Sequence, residues 1–117
     1  MAVTVVNVSI VQGETLSTVL TTSPTVNLTG ATCTCQIREK ANCAYPVIAS
    51  PTITLSATPT DGKVTMSMTA AQTLAMPVNG DTYTDTTVYV YDIFATISGV
   101  IYKIFCGNAT ITQAVTR

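Results

Sequence analysis

The chain has 117 residues, enough for one domain with its own core, and 47% of them are hydrophobic. The net charge is −1, and the five cations Arg38, Lys40, Lys63, Lys103 and Arg117 are scattered, which argues against a nucleic-acid binder working through phosphate contacts. No apolar run reaches the roughly 18 residues of a helical membrane span, and MAVTVVNVSIVQGE lacks the basic and continuously apolar regions of a signal peptide, so synthesis in the cytoplasm is expected.

Threonine occurs 24 times, and with Val and Ile it favours extended backbone. Period-2 alternation dominates. A first strand is expected over 3–11, closed by Gly13, and a second over 16–21, followed by the turn-prone TSPT. The third covers 31–38. It places Ala31, Cys33, Cys35 and Ile37 on one face and Thr32, Thr34 and Gln36 on the other. Residues 39–50, with Cys43 and Pro46, read as a loop. A strand over 52–57 leads to the turn signature Pro59-Thr60-Asp61-Gly62. The strand 63–68 puts Val64, Met66 and Met68 on one face.

There the period changes. Thr69-Ala70-Ala71-Gln72 fits a capping box, opening a short helix near residues 70–76 that Pro77 stops. Residues 78–86 form a polar loop. The strand 87–97 has Tyr89, Tyr91, Ile93, Ala95 and Ile97 on one face and Val88, Val90, Asp92 and Phe94 on the other, which reads as a central strand. Ser98-Gly99 makes a tight turn into a strand toward Cys106, with Gly107 as a candidate bulge and a last segment to about Val115. Seven to eight strands with one short helix, in a single domain over 1–117, spell an all-β antiparallel sandwich or barrel.

Candidate chemistry is sparse. Cys33, Cys35, Cys43 and Cys106 could in principle ligate zinc, but a C-x-C inside an alternating strand separates its sulfurs, and there is no His. Core thiols fit Cys33, Cys35 and Cys106 better, with a cross-strand or inter-sheet disulfide involving Cys106 as the open alternative. Asn79, Asp81 and Asp85 gather oxygens in one loop, yet calcium needs about six ligands or more, so a turn with solvated acids is expected. Asp92, in an apolar strand, needs a partner, which Lys103 or Arg38 can supply. Without His, a phosphate-cradling loop or a base beside any Ser or Thr, neither a catalytic residue nor a cofactor or metal site is expected, and the chain reads as no enzyme.

Several phrases in order resemble a known group: Asn27-Leu28-Thr29-Gly30-Ala31 with Gln36-Ile37-Arg38; Gly62–Met68 running into Thr69–Pro77; Tyr91-Asp92-Ile93; Gly99–Ile104; and Gly107–Arg117. They resemble small bacteriophage virion proteins related to the immunoglobulin-like N-terminal domains of baseplate upper proteins. The likeness runs from about residue 12 to the end. It implies an immunoglobulin-like fold and a non-enzymatic structural role in the tail or baseplate, or at a tail-fibre attachment. The partners would be other virion proteins or further copies of the chain, and the location the virion. The group carries no catalytic residues to transfer. The loops 39–50 and 78–86 exceed its pattern, which makes Glu39, Lys40, Cys43, Tyr45, Asn79, Asp81, Tyr83 and Asp85 candidate contact residues.

With charged residues at 9%, against about 25% in typical soluble domains, much of the surface is expected to be covered in an assembly or coated by Thr and Ser. A capsid decoration protein is the alternative virion role. A free adhesin-like module binding glycans through Tyr and Asp is the alternative of another class.

Overall fold

A computed structural model describes residues 3–115. Nine strands lie among them: β1 (Thr4–Val5), β2 (Val8–Val11), β3 (Leu16–Thr21), β4 (Thr32–Arg38), β5 (Val47–Ala49), β6 (Thr52–Leu55), β7 (Lys63–Met68), β8 (Thr86–Ile97) and β9 (Val100–Thr112). One short helix, α1 (Ala70–Leu74), follows β7. The larger sheet runs β1-β9-β8-β4-β5, with β2 also on β9, and the smaller runs β3-β7-β6. The two pack as a sandwich. Ile10, Ile37, Ile93, Phe105 and Ile111 from the larger sheet meet Leu20, Val64 and Met66 from the smaller, all essentially dry. Each such side chain contributes about 1.5–3 kcal/mol through its removal from water.

The alternation read along the chain is the alternation observed. Cys35 and Ile37 point into the core while Thr32, Thr34 and Gln36 face out. In β7, Val64, Met66 and Met68 are buried. Ser98 (φ 51°) and Gly99 (φ 80°) both adopt positive φ, the geometry of the two-residue turn that matches strand twist. The capping box is complete: Gln72 donates its N–H to Thr69 Oγ1 at 3.2 Å, and Thr69 donates its own to Gln72 Oε1 at 2.8 Å.

Four expectations change. The strand expected over 3–11 is broken at Val6–Asn7 and pairs parallel to β9, whereas every other pairing is antiparallel. Alternation reports which face a residue takes, not the direction of its partner strand. The 39–50 segment is not all loop, because Val47–Ala49 forms β5 on β4. The bulge falls at Ile104, where the β8–β9 register shifts, and not at Gly107. The extra residue turns both Ile104 and Phe105 inward. Gly107 serves a different need: a Cβ there would lie 2.1 Å from the Val6 carbonyl oxygen. Finally β9 is one unbroken strand of 13 residues through Gly107.

The turns between sheets are tied by side chains. Gln12, in the inward phase of Val8 and Ile10, is buried; it donates to the Met76 carbonyl and accepts from the Ala114 N–H at 3.1 Å. Thr73 of α1 accepts from the Gly13 N–H at 3.0 Å and donates to the Glu14 carbonyl at 2.8 Å. One helix therefore holds the β2–β3 turn.

Candidate interaction surface

Among the described residues no second layer covers the face of the larger sheet that points away from the core. Register sets its rows: Gln36–Asp92–Cys106–Val5 and Arg38–Val90–Asn108, with Thr34–Phe94–Lys103 beside the bulge. Apolar side chains stand in these and neighbouring rows. Val5 is 70% exposed, Val88 53%, Phe94 40% and Ile101 68%. The alternation of β8 makes this inevitable once one face is committed to the core. The expectation that β8 is central holds within the sheet, where it lies between β4 and β9. Its second face nevertheless meets solvent.

A cleft of about 460 Å³ lies on this face, walled on one side by Lys40–Cys43. Val90, Asp92, Phe94 and Lys103 contribute to it from the sheet. Arg38 fixes the wall: its guanidinium donates to the Tyr45 and Cys43 carbonyls and, at 2.9 Å, to Gln36 Oε1. Lys103 Nζ sits 3.7 Å from Asp92 Oδ2, so Asp92 has a partner foreseen for it. Asp92 is half-exposed rather than buried, and such a pair contributes at most about 1 kcal/mol.

The predicted site residues divide. Lys40 and Cys43 line the cleft; Glu39 and Tyr45 belong to the same loop without lining it. Asn79, Asp81, Tyr83 and Asp85 lie elsewhere, in the loop before β8. That loop is an internally bonded turn. Asp85 Oδ2 accepts from the Thr82 N–H at 2.7 Å, and the Thr82 hydrogen bonds lower the Asp85 pKa from its ordinary value. Among the described residues no three His, Cys, Asp or Glu side chains converge as metal ligands. Tyr83 stands out from the loop, whereas Tyr89 and Tyr91 are buried and donate to the Pro77 and Val6 carbonyls.

The four cysteines are free. Cys33 and Cys35 share the inward face, and burial pushes the Cys35 thiol up to about 12, with the negative charge of Asp92 adding to the rise. Cys106 is opposite Asp92 on the outward face. The sheet itself stands between Cys106 and the Cys33/Cys35 pair, so the disulfide from Cys106 to either of them does not form, and Cys106 is not a core thiol. The residues missed by sequence reasoning are Val5, Ile101 and Asn108. Their membership in the outer face depends on parallel pairing and on the bulge, neither of which leaves a local signal.

No helix among the described residues is long and apolar enough to cross a membrane. No known protein family and no curated protein matches the chain. Among solved structures, it is similar to the three N-terminal domains of the Highly Immunogenic Outer Capsid protein (Hoc) of bacteriophage RB49. The identity is 11% and the TM-score 0.29, over 95% of this chain and 37% of that one. The chain thus spans little more than a third of the structure it is similar to.

Proposed function

We propose that this chain is a non-enzymatic structural module of a bacteriophage particle, of the tail or baseplate kind, that works by binding other virion proteins. The observation that carries the reading is the uncovered outer face of the larger sheet. It sets Val5, Val88, Phe94 and Ile101 in solvent on a chain with few charges. Apolar side chains left exposed in neighbouring rows of an uncovered sheet face, with polar groups among them, support a protein contact. The Gln36-Ile37-Arg38, Gly62–Pro77 and C-terminal phrases, which resemble phage virion modules, supply the setting. Binding would bury Phe94 and Val88 and use the Lys40–Cys43 wall as its rim.

Cross-linking mass spectrometry on purified particles of the phage that encodes the chain tests this. The expected result is cross-links from Lys40 and Lys103 to other virion proteins, and the identity of those proteins assigns tail or head. Recovery of the chain only from the soluble fraction of lysed cells would refute the proposal.

A further inference from the structure

Among the described residues the terminal strands of the two sheets give four edges, three of them blunted, while Thr32–Gln36 of β4 and Val100–Ile104 of β9 are stretches bonded to β8 alone. The β1/β2 edge is broken at Val6–Asn7, β5 is three residues long between Pro46 and Pro51, and the four-residue β6 follows Pro51 directly. Short, broken or proline-flanked edges resist strand addition. The fourth edge, β3, has none of these features. It is six unbroken residues, LSTVLT, with no proline, and no charged residue occurs between Glu14 and Arg38. Among the described residues it pairs only with β7.

The phase of its free groups follows from the register. Thr22 donates its N–H to the Gly62 carbonyl at 2.9 Å, continuing the β3–β7 ladder in which Thr21 faces Lys63. Residues in phase with Thr22, namely Leu20, Thr18 and Leu16, are therefore those bonded to β7. Ser17, Val19 and Thr21 turn N–H and C=O toward the open side. The same three carry the outward-facing, exposed side chains, and Val19 is 61% exposed.

We propose that β3 pairs antiparallel with β3 of a second copy of this chain, about a twofold axis through Val19. The strand is its own complement in that arrangement. Ser17 faces Thr21 of the second copy, Val19 faces Val19, and Thr21 faces Ser17. Each pair exchanges two main-chain hydrogen bonds, about six in all. No charge meets its own image across the axis. Val19 loses its exposure against its twin, and the hydroxyls of Ser17 and Thr21 fall side by side, a favourable cross-strand pair. Two three-stranded sheets become one of six strands. This surface is separate from the outer face of the larger sheet, so the inference stands or falls independently of the virion reading.

The test is sedimentation equilibrium of the full chain from micromolar to millimolar concentration, with Val19→Lys and Val19→Pro beside it. Lysine sets like charges opposite each other at the axis. Proline removes an N–H that β7 does not use and is tolerated on an edge strand. The expected result is a reversible wild-type dimer and two monomeric variants with unchanged far-ultraviolet circular dichroism. A wild type that stays monomeric, or folded variants that dimerise as it does, would overturn the proposal. Amide exchange of the wild type decides the matter even if both variants unfold. Protection of Ser17, Val19 and Thr21 that rises with concentration supports the pairing, and exchange at concentration-independent, exposed rates refutes it.

Discussion

Gly107 shows how much can rest on a missing side chain. The Val6 carbonyl comes close enough that a Cβ on residue 107 would lie 2.1 Å from its oxygen. Val6 N–H donates to the Cys106 carbonyl at 3.0 Å, and Asn7 Oδ1 accepts from the Asn108 N–H at 3.0 Å. Gly107→Ala must therefore push the N-terminal segment off β9. The expected loss is about 1–3 kcal/mol in urea unfolding, the usual cost of forcing atoms into a filled site. The thiols make a second residue-scale prediction. Cys43 is exposed and Cys35 is buried with its pKa raised to about 12. An alkylating reagent at neutral pH should label Cys43 first and leave Cys35 unmodified until the chain unfolds, as read by peptide mass spectrometry. The same burial has a pH consequence. The folded-state pKa of Cys35 lies above its ordinary value of 9.0, so its contribution is complete below pH 9 and is lost as pH rises toward about 12. Burial also raises Tyr91 from 10.0, in the same direction. Stability should hold to about pH 9 and then fall with increasing pH, by up to about 1.4 kcal/mol per unit for each such group.

At the scale of elements, α1 is too short to stand alone, since isolated helices below about 12 residues are marginal. It is held at its start by the Thr69–Gln72 box and along its buried side by Thr73. Thr73→Val keeps the shape but leaves the Gly13 N–H and the Glu14 carbonyl without their partner. The expected cost is about 1–3 kcal/mol, against about 1 kcal/mol for Thr69→Ala, both measured by thermal unfolding. These elements also divide what a sequence can disclose. The Thr69-x-x-Gln72 box, the β7 alternation and the Ser98-Gly99 turn are local, and each was legible because the residues that cause it are neighbours in the chain. The break at Val6–Asn7, the parallel pairing with β9 and the pairing of β5 with β4 are set by distant segments. The bulge at Ile104 hides because Ile104-Phe105 reads as ordinary apolar sequence, while Gly107 nearby offers a more familiar sign of irregularity. The proposed interaction surface was half legible for a similar reason. Val88, Val90, Asp92 and Phe94 were placed on one face correctly. That this face lacks a covering layer is a property of the whole sandwich.

For the whole molecule, the two faces of the larger sheet are asymmetric: one carries the core and the other an uncovered apolar set. Removing those outer side chains should affect folding far less than removing core ones, because they lie outside the core and are about half exposed. Phe94→Lys is expected to shift stability by no more than about 0.5 kcal/mol, as surface changes usually do, while abolishing incorporation into particles. A variant lost from particles because it unfolds would show the opposite pattern in a denaturation curve. The proposed role makes this sandwich a built-in part of a virion, held by that face. A cryo-electron microscopy map of intact particles tests it most directly. The expected result is density for the sandwich in a fixed number of symmetric copies, with Val88 and Phe94 buried against a neighbouring protein. Particles complete in every other respect that contain no such density would contradict it.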